Sequence, residues 1–269
     1  MHCQTSKPTF SHFFFRWLSA TLTRSRLSST LLKIMSYRTS HPSMPSSPKS
    51  VGSVADASLL NYNFSTKESD IVEFRLDNLI PQLTEVKNTL LKLKNSQIQT
   101  LITARCESEG GQSTLNTSQR SQLLMGLAPL ANFVDIELVN LEEMQEAANY
   151  VKEMGAILIA SHHNFKETPS SEALKDTINK AIDQGADIAK IAVFHNSVED
   201  IFRCADIIQN HSSIAISMMG MGPLAPASRL LYAQLGSILN YGYLGGKSTA
   251  PGQWHAKQLN EAMQNSLQF

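Results

Sequence analysis

The chain has 269 residues, 42% hydrophobic and 17% charged, which suits one large globular domain or two modest ones. No apolar run approaches the roughly 18 residues that span a bilayer, and three cysteines (Cys3, Cys106, Cys204) without paired spacing supply neither a disulfide framework nor a zinc cluster. The formal charge of zero hides an acid-free stretch, residues 1–55 with seven Lys or Arg, which leaves 16 basic against 23 acidic residues downstream and no electrostatic support there for a nucleic-acid role.

Residues 1–50 read as a basic, Ser/Arg-rich leader. Two origins are open: an upstream start codon, with Met35 or Met44 nearer the beginning, or an organelle transit peptide. The expected location is cytoplasmic in the first case and organellar in the second. Residues 51–269 are expected to form one catalytic domain.

From residue 70 short β-branched runs alternate with segments of helical period. The strand-like runs are DIVEFRLD (70–77), QTLITARC (99–106), NFVDIELV (132–139), AILIASHH (156–163), DIAKIAVF (187–194), SIAISMMG (213–220) and SILNYGYLG (237–245). Helices between them place Leu174, Ile178, Ala181 and Ile182 on one face, and Val198, Ile201, Phe202, Ala205 and Ile208 on another. Thr168 before Pro169 predicts an N-cap, Gly185 the C′ residue of the same helix, and Ser197 with Asp200 a capping box.

Seven βα units at near-even spacing point to an α/β (β/α)8 TIM barrel. A doubly wound sheet is the alternative, but no G-x-G-x-x-G follows the first clear strand. An eighth strand is expected before residue 70. SVGSVADASLLNY, around 53–62, is the candidate, with no evident helix after it in NFSTKES.

Active sites of such barrels lie at the C-terminal ends of the strands. By alternation, Glu73, Arg75 and Asp77 share an inward face, as do Thr103 and Arg105, which Glu107 to Gly111 follow. His163 closes its strand in line with Ile159 and Ser161. Lys190 lies in line with Ile188 and Ala192, Ser217 and Arg229 belong to the seventh strand and its loop, and Thr249 and Gln253 to the eighth. Charges of both signs meeting at one mouth favour a polyhydroxylated anionic ligand. Apolar surroundings and nearby arginines favour the neutral amine of Lys190, a nucleophile for ketones; a salt bridge to Glu73 or Glu137 is the plainer alternative. His163 suits a proton shuttle, since imidazole titrates near neutrality.

VEFRLD, TARCESEGG, VDIEL, ASHHNF, GADIAKIA, SMMGMGPLAPASR and STAPGQ, in this order, resemble type I 3-dehydroquinate dehydratase, the Schiff-base enzyme of the shikimate pathway, over about residues 70–266. The resemblance implies syn dehydration of 3-dehydroquinate through an imine on Lys190. His163 would be the proton-transfer residue, and Glu109, from the EGG motif, would orient it. Arg229 would pair with the substrate carboxylate, and Glu73, Arg75, Arg105, Thr249 and Gln253 would fix hydroxyls and neighbouring charges. Gly110, Gly111 and the Gly220 to Gly222 turn would let backbone approach the ligand. Neither a metal nor an organic cofactor is implied, and barrels of this family are often homodimers.

Two departures stand out: Asn164 follows the proposed base where many relatives have Asp, and no familiar first βα unit precedes residue 70. Two other readings compete: a class I aldolase or transaldolase, which also uses a barrel lysine, and a catalytically dead metabolite-binding barrel.

Overall fold

A computed structural model of the chain describes residues 43–94, 96–246 and 248–266. Its eight strands are β1 (Lys49–Val54), β2 (Ile71–Arg75), β3 (Gln99–Thr103), β4 (Phe133–Glu137), β5 (Ile157–Asn164), β6 (Ile188–Phe194), β7 (Ala215–Met221) and β8 (Leu239–Tyr243). They pair in parallel from β8 through β1 to β7. The seam between β7 and β8 is bridged by the Ile238 N–H to the Ile216 carbonyl at 2.8 Å and by the Ser217 hydroxyl to the Leu239 carbonyl at 2.6 Å. Around this (β/α)8 barrel lie α1 (Leu83–Leu93), α2 (Thr117–Leu127), α3 (Leu138–Leu141), α4 (Gln145–Glu153), α5 (Ser171–Asp183), α6 (Val198–Asn210), α7 (Ala225–Gln234) and α8 (Ala256–Ser266). Among the described residues no helix is long and apolar enough to cross a membrane.

The expected leader lies outside the described residues except for 43–50, whose Lys49 and Ser50 already belong to β1. That strand, KSVGSV, is the missing first one, and it occupies the N-terminal end of the candidate SVGSVADASLLNY, with only Lys49 outside it. Its polar residues disguise it, because each is matched by tertiary structure. The Ser50 hydroxyl donates to Asp70 Oδ2 at 3.0 Å and to Asn260 Oδ1 at 2.9 Å, and Ser53 reaches Glu73. A Cβ on Gly52 would lie 2.6 Å from Leu244 Cδ1, so the side chain of β8's extension needs glycine there. After β1 the chain makes only a 3-10 turn, Ala57–Asn61, capped by the Asp56 carboxylate on the Ser58 N–H, before returning to β2. No α-helix covers this connection.

Two helical expectations change. The N-cap of α5 is Ser170, whose hydroxyl accepts the Ala173 N–H; Thr168 instead donates to the Phe194 carbonyl at 2.9 Å and meets His195 Nδ1 at 2.9 Å. On α6 the buried face is Ile201, Cys204, Ile207 and Ile208, while Val198 and Phe202 are exposed. The other caps hold: Gly185 ends α5 in the left-handed region at φ +77, and Asp200 accepts the Ser197 N–H at 3.1 Å at the start of α6.

The barrel interior is graded along its axis. Val51, Ile71, Leu101, Phe133, Ile188 and Leu239 form an apolar layer. Two residues further along the same strands, hence on the same face, stand Ser53, Glu73, Thr103, Asp135, Lys190 and Tyr241. The apolar layer therefore forms a dry floor beneath a polar layer.

Outside β3 and β4, Arg120 of α2 braces this layer. It donates to the Ala104 carbonyl at 2.7 Å and to Asn140 Oδ1 at 3.1 Å, and it pairs with Glu137. Arg120 is 2% exposed and Glu137 fully buried; without Arg120, Glu137 keeps Arg105 at 3.0 Å but loses one of its two cations. Arg120→Met is expected to cost about 2 kcal/mol, read as a lower urea midpoint. A change below about 0.5 kcal/mol, typical of surface positions, would contradict the brace.

Candidate active site

The C-terminal mouth of the barrel opens onto a cavity of about 530 Å³, solvent at its mouth included, whose walls take in Lys190, His163, Glu109, Glu73, Arg75, Arg105, Arg229, Thr249 and Gln253, but not Gly111, Gly220 or Gly222. Lys190 Nζ, at the middle of β6, donates to Asp135 Oδ2 of β4 at 2.7 Å and lies 4.3 Å from the centroid of the Tyr241 ring of β8. The lysine thus has an acidic partner, which is Asp135 rather than Glu73 or Glu137. Burial dominates and draws its ammonium below the ordinary range; Asp135 opposes this and Arg105 reinforces it.

Asp135 is shared. Arg105 Nη2 donates to it at 2.9 Å and the Ser161 hydroxyl at 2.5 Å, while Arg105 Nη1 donates to Glu137 Oε1 at 3.0 Å. Burial opposes charge on both Asp135 and Arg105, but the mutual attraction of these groups outweighs it and keeps both ionised. Both Nη atoms of Arg105 are therefore engaged by protein acceptors, which makes it a holder of the network.

His163, next to the last residue of β5, places Nδ1 2.7 Å from Glu109 Oε2. Phe165 stacks on the imidazole at 6.2 Å between centroids and 16° between planes. Burial, then Arg105 and Lys190, push the imidazole well below its ordinary value, so it is neutral; burial first, against Arg105, raises the Glu109 carboxyl to about 7. With Nδ1 held by Glu109, Nε2 is the nitrogen left to exchange a proton with a ligand. Glu109 sits in the 3-10 turn Glu107–Glu109, closed by Gly110 at φ +86. A Cβ on Gly111 would come within 2.1 Å of the Arg105 carbonyl oxygen, so this glycine serves the packing of its own loop rather than a ligand's approach.

Arg229 belongs to α7 rather than to the loop before it. Its Nε donates to the Gly220 carbonyl at 3.1 Å and Nη1 to the Tyr241 carbonyl at 2.6 Å. It is 2% exposed and makes no ion pair among the described residues, and burial alone draws its guanidinium down to about 10. A buried cation without a carboxylate beside it invites an anionic ligand. Opposite, Gln253 accepts the N–H and the hydroxyl of Thr249, each at 2.8 Å. Glu73 accepts hydroxyls from Ser53 at 2.5 Å and Thr103 at 2.7 Å, and Arg75 forks onto Asp77 at 3.0 and 2.9 Å.

The family model for type I 3-dehydroquinase matches residues 51–268. The chain belongs to the type I 3-dehydroquinase family. It is 36% identical over 200 residues to a 3-dehydroquinate dehydratase of Methanococcus maripaludis, covering 73% of this chain and 88% of that one. Among solved structures it superposes on the 3-dehydroquinate dehydratase of Geobacillus kaustophilus HTA426 with a TM-score of 0.74 at 27% identity, covering 83% and 93% of the two chains. It superposes likewise on a type I 3-dehydroquinate dehydratase of Clostridium difficile described with covalent modified comenic acid, with a TM-score of 0.71, 25% identity and coverage of 82% and 93%. Type I 3-dehydroquinases are hydro-lyases, and this chain is a lyase of that family.

For a type I 3-dehydroquinase the sequence reading overlooked Asp135, Tyr241 and Phe165. Asp135 shares strand parity with Glu137 and lies inside VDIEL, so the alternation that exposes Glu73 and Arg75 marks it too. Tyr241 resembles an ordinary core aromatic until its ring is seen beside Lys190. Asn164, the departure noted after His163, accepts the Lys166 N–H at 2.9 Å and the Glu167 N–H at 3.1 Å, and so turns the chain at the end of β5.

Proposed function

We propose that this chain converts 3-dehydroquinate to 3-dehydroshikimate, a step of the shikimate pathway toward chorismate and aromatic amino acids, by syn elimination of water through an imine on Lys190. One observation carries the reading. A buried lysine with a depressed ammonium faces the same cavity as a neutral His163 held by Glu109 and an arginine without a carboxylate partner among the described residues. A ketone nucleophile, a proton carrier and a carboxylate anchor are what this elimination requires.

In this scheme Lys190 condenses with the C3 ketone and water leaves. The protonated imine then draws electrons from C2 as His163 removes its proton. Electrons return from the enamine to expel the C1 hydroxyl, which takes the proton from His163, and water hydrolyses the imine. Glu109 holds Nδ1 and offsets the imidazolium charge. Arg229 pairs with the substrate carboxylate, where a planar two-pronged donor fits best. Glu73, Arg75, Thr249 and Gln253 orient ring hydroxyls, while Arg105 and Asp135 set the field around the amine.

The test is direct. Adding 3-dehydroquinate to the purified chain should produce the absorbance of the conjugated product. No turnover by folded protein whose melting temperature the compound still raises would replace the enzyme with a binding protein.

The Glu109 carboxyl also sets a pH dependence. With its value raised to about 7 by burial, the carboxylate needed beside the imidazolium is present above that pH and takes a proton below it. kcat/KM is therefore expected to fall on acidification through about 7, and Glu109→Gln should be slow and lack that acid limb. An unchanged limb in the variant would assign it to another group.

A further inference from the structure

Tyr241 is the one aromatic residue whose ring lies against the Lys190 amine among the described residues, at 4.3 Å from Nζ to the ring centroid. It is 4% exposed and lines the cavity, and its hydroxyl has no hydrogen-bond partner among the described residues. A buried phenol in that condition is costly, and phenylalanine would fill the same space without the penalty. Burial first, then the nearby carboxylates of Glu73 and Asp135, push its ionisation well above the ordinary value, so the phenol keeps its proton and has it to donate in a hydrogen bond. Nζ stands over the face of the ring, and the hydroxyl at the ring's edge is shielded from solvent within the polar layer of the barrel. The same residue's carbonyl accepts Arg229 Nη1 at 2.6 Å.

We infer that Tyr241 is a further functional residue of this site, its ring holding the Lys190 ammonium and its hydroxyl donating a hydrogen bond to the oxygen that Lys190 displaces from a ketone. The hydroxyl's role rests on the Schiff-base reading above. In the step concerned, Nζ bonds to the carbonyl carbon and the C–O π pair moves to oxygen. That oxygen takes up two protons, one from the attacking nitrogen and one that the neutral His163 has first taken from the Lys190 ammonium, and leaves as water. Tyr241 stabilises the oxygen as its charge grows and loses no proton.

The ring's role is independent of substrate. Cation–π attraction favours the ammonium, alongside Asp135 and Glu73 and against Arg105 and the burial that lowers it; His163 is neutral and adds no charge.

Two variants of the full chain separate the roles. Tyr241→Phe keeps the ring: its melting temperature should equal or exceed that of the wild type, and the rate of borohydride-trapped adduct formation with 3-dehydroquinate should drop at least about tenfold. Tyr241→Leu removes the ring: competitive labelling of Lys190 with acetic anhydride across pH, read by peptide mass spectrometry, should place its titration about half a unit to one unit lower, with the Phe variant unmoved. Capture by the Phe variant at the wild-type rate would overturn the hydroxyl's role, and an unshifted titration in the Leu variant would overturn the ring's. The labelling needs no substrate. A wild-type chain that left 3-dehydroquinate untouched would refute the functional reading, while the Leu variant would still decide whether the ring holds Lys190.

Discussion

Lys190→Ala is expected to eliminate the mass adduct that 3-dehydroquinate and borohydride leave on the chain, and to lower turnover on the order of 10,000-fold or more. The size follows from the role: without the amine there is no imine, and the carbanion at C2 loses its electron sink. The fold should survive. Asp135 retains Arg105 at 2.9 Å and Ser161 at 2.5 Å when the lysine is removed, so its carboxylate is not left alone in the interior. Folding of the variant is checked by its thermal transition. An adduct that persisted would assign the nucleophile to another residue, and a phosphosugar adduct on the wild type in place of the dehydroquinate one would move the chain toward the aldolase reading.

His163→Ala should lower kcat by about 1,000-fold, within the range that general acid–base groups contribute, while the adduct still forms, more slowly. The imidazole acts in both halves of the elimination, first as base at C2 and then as acid at the leaving hydroxyl, so its loss falls on kcat rather than on ligand binding by Arg229. Its neutral state is secured by burial and by the positive charges of Arg105 and Lys190, and Glu109 at 2.7 Å fixes which nitrogen faces the ligand. Single-turnover trapping followed by mass spectrometry separates the steps. A variant that accumulated no adduct at all would mean that imine formation, too, depends wholly on this residue; one with near-normal kcat would remove His163 from the chemistry.

Where the sequence reading succeeded and failed follows from what each signal depends on. Strands β2 to β8 are legible because a parallel sheet covered by helices buries both faces of each strand, leaving continuous runs such as AILIA and DIAKIAVF. Strand β1 is legible only as a poor pattern in SVGSVADASLLNY, because Ser50, Gly52 and Ser53 are polar or small for reasons that lie in Asp70, Asn260, Leu244 and Glu73, all distant in the chain. The same distinction separates Ser170 from Thr168. Both carry hydroxyls before a helix, and only the folded position of Phe194 and His195 shows that Thr168 is occupied elsewhere.

Sequence alone determined the alternation of strands and helices, and therefore the barrel, since binary pattern and cap residues act within a few positions of one another. It also determined that Lys190 and His163 meet at one end, because inward residues near the C-terminal ends of barrel strands share a mouth. Tertiary structure decided the partners. The acid at Lys190 comes from 55 residues away in the chain, and Arg229 reaches the mouth from a helix, without a carboxylate beside it among the described residues. Coulomb and hydrogen-bond energies depend on distances of a few ångströms and on burial, and those are settled only when separate strands close into one ring.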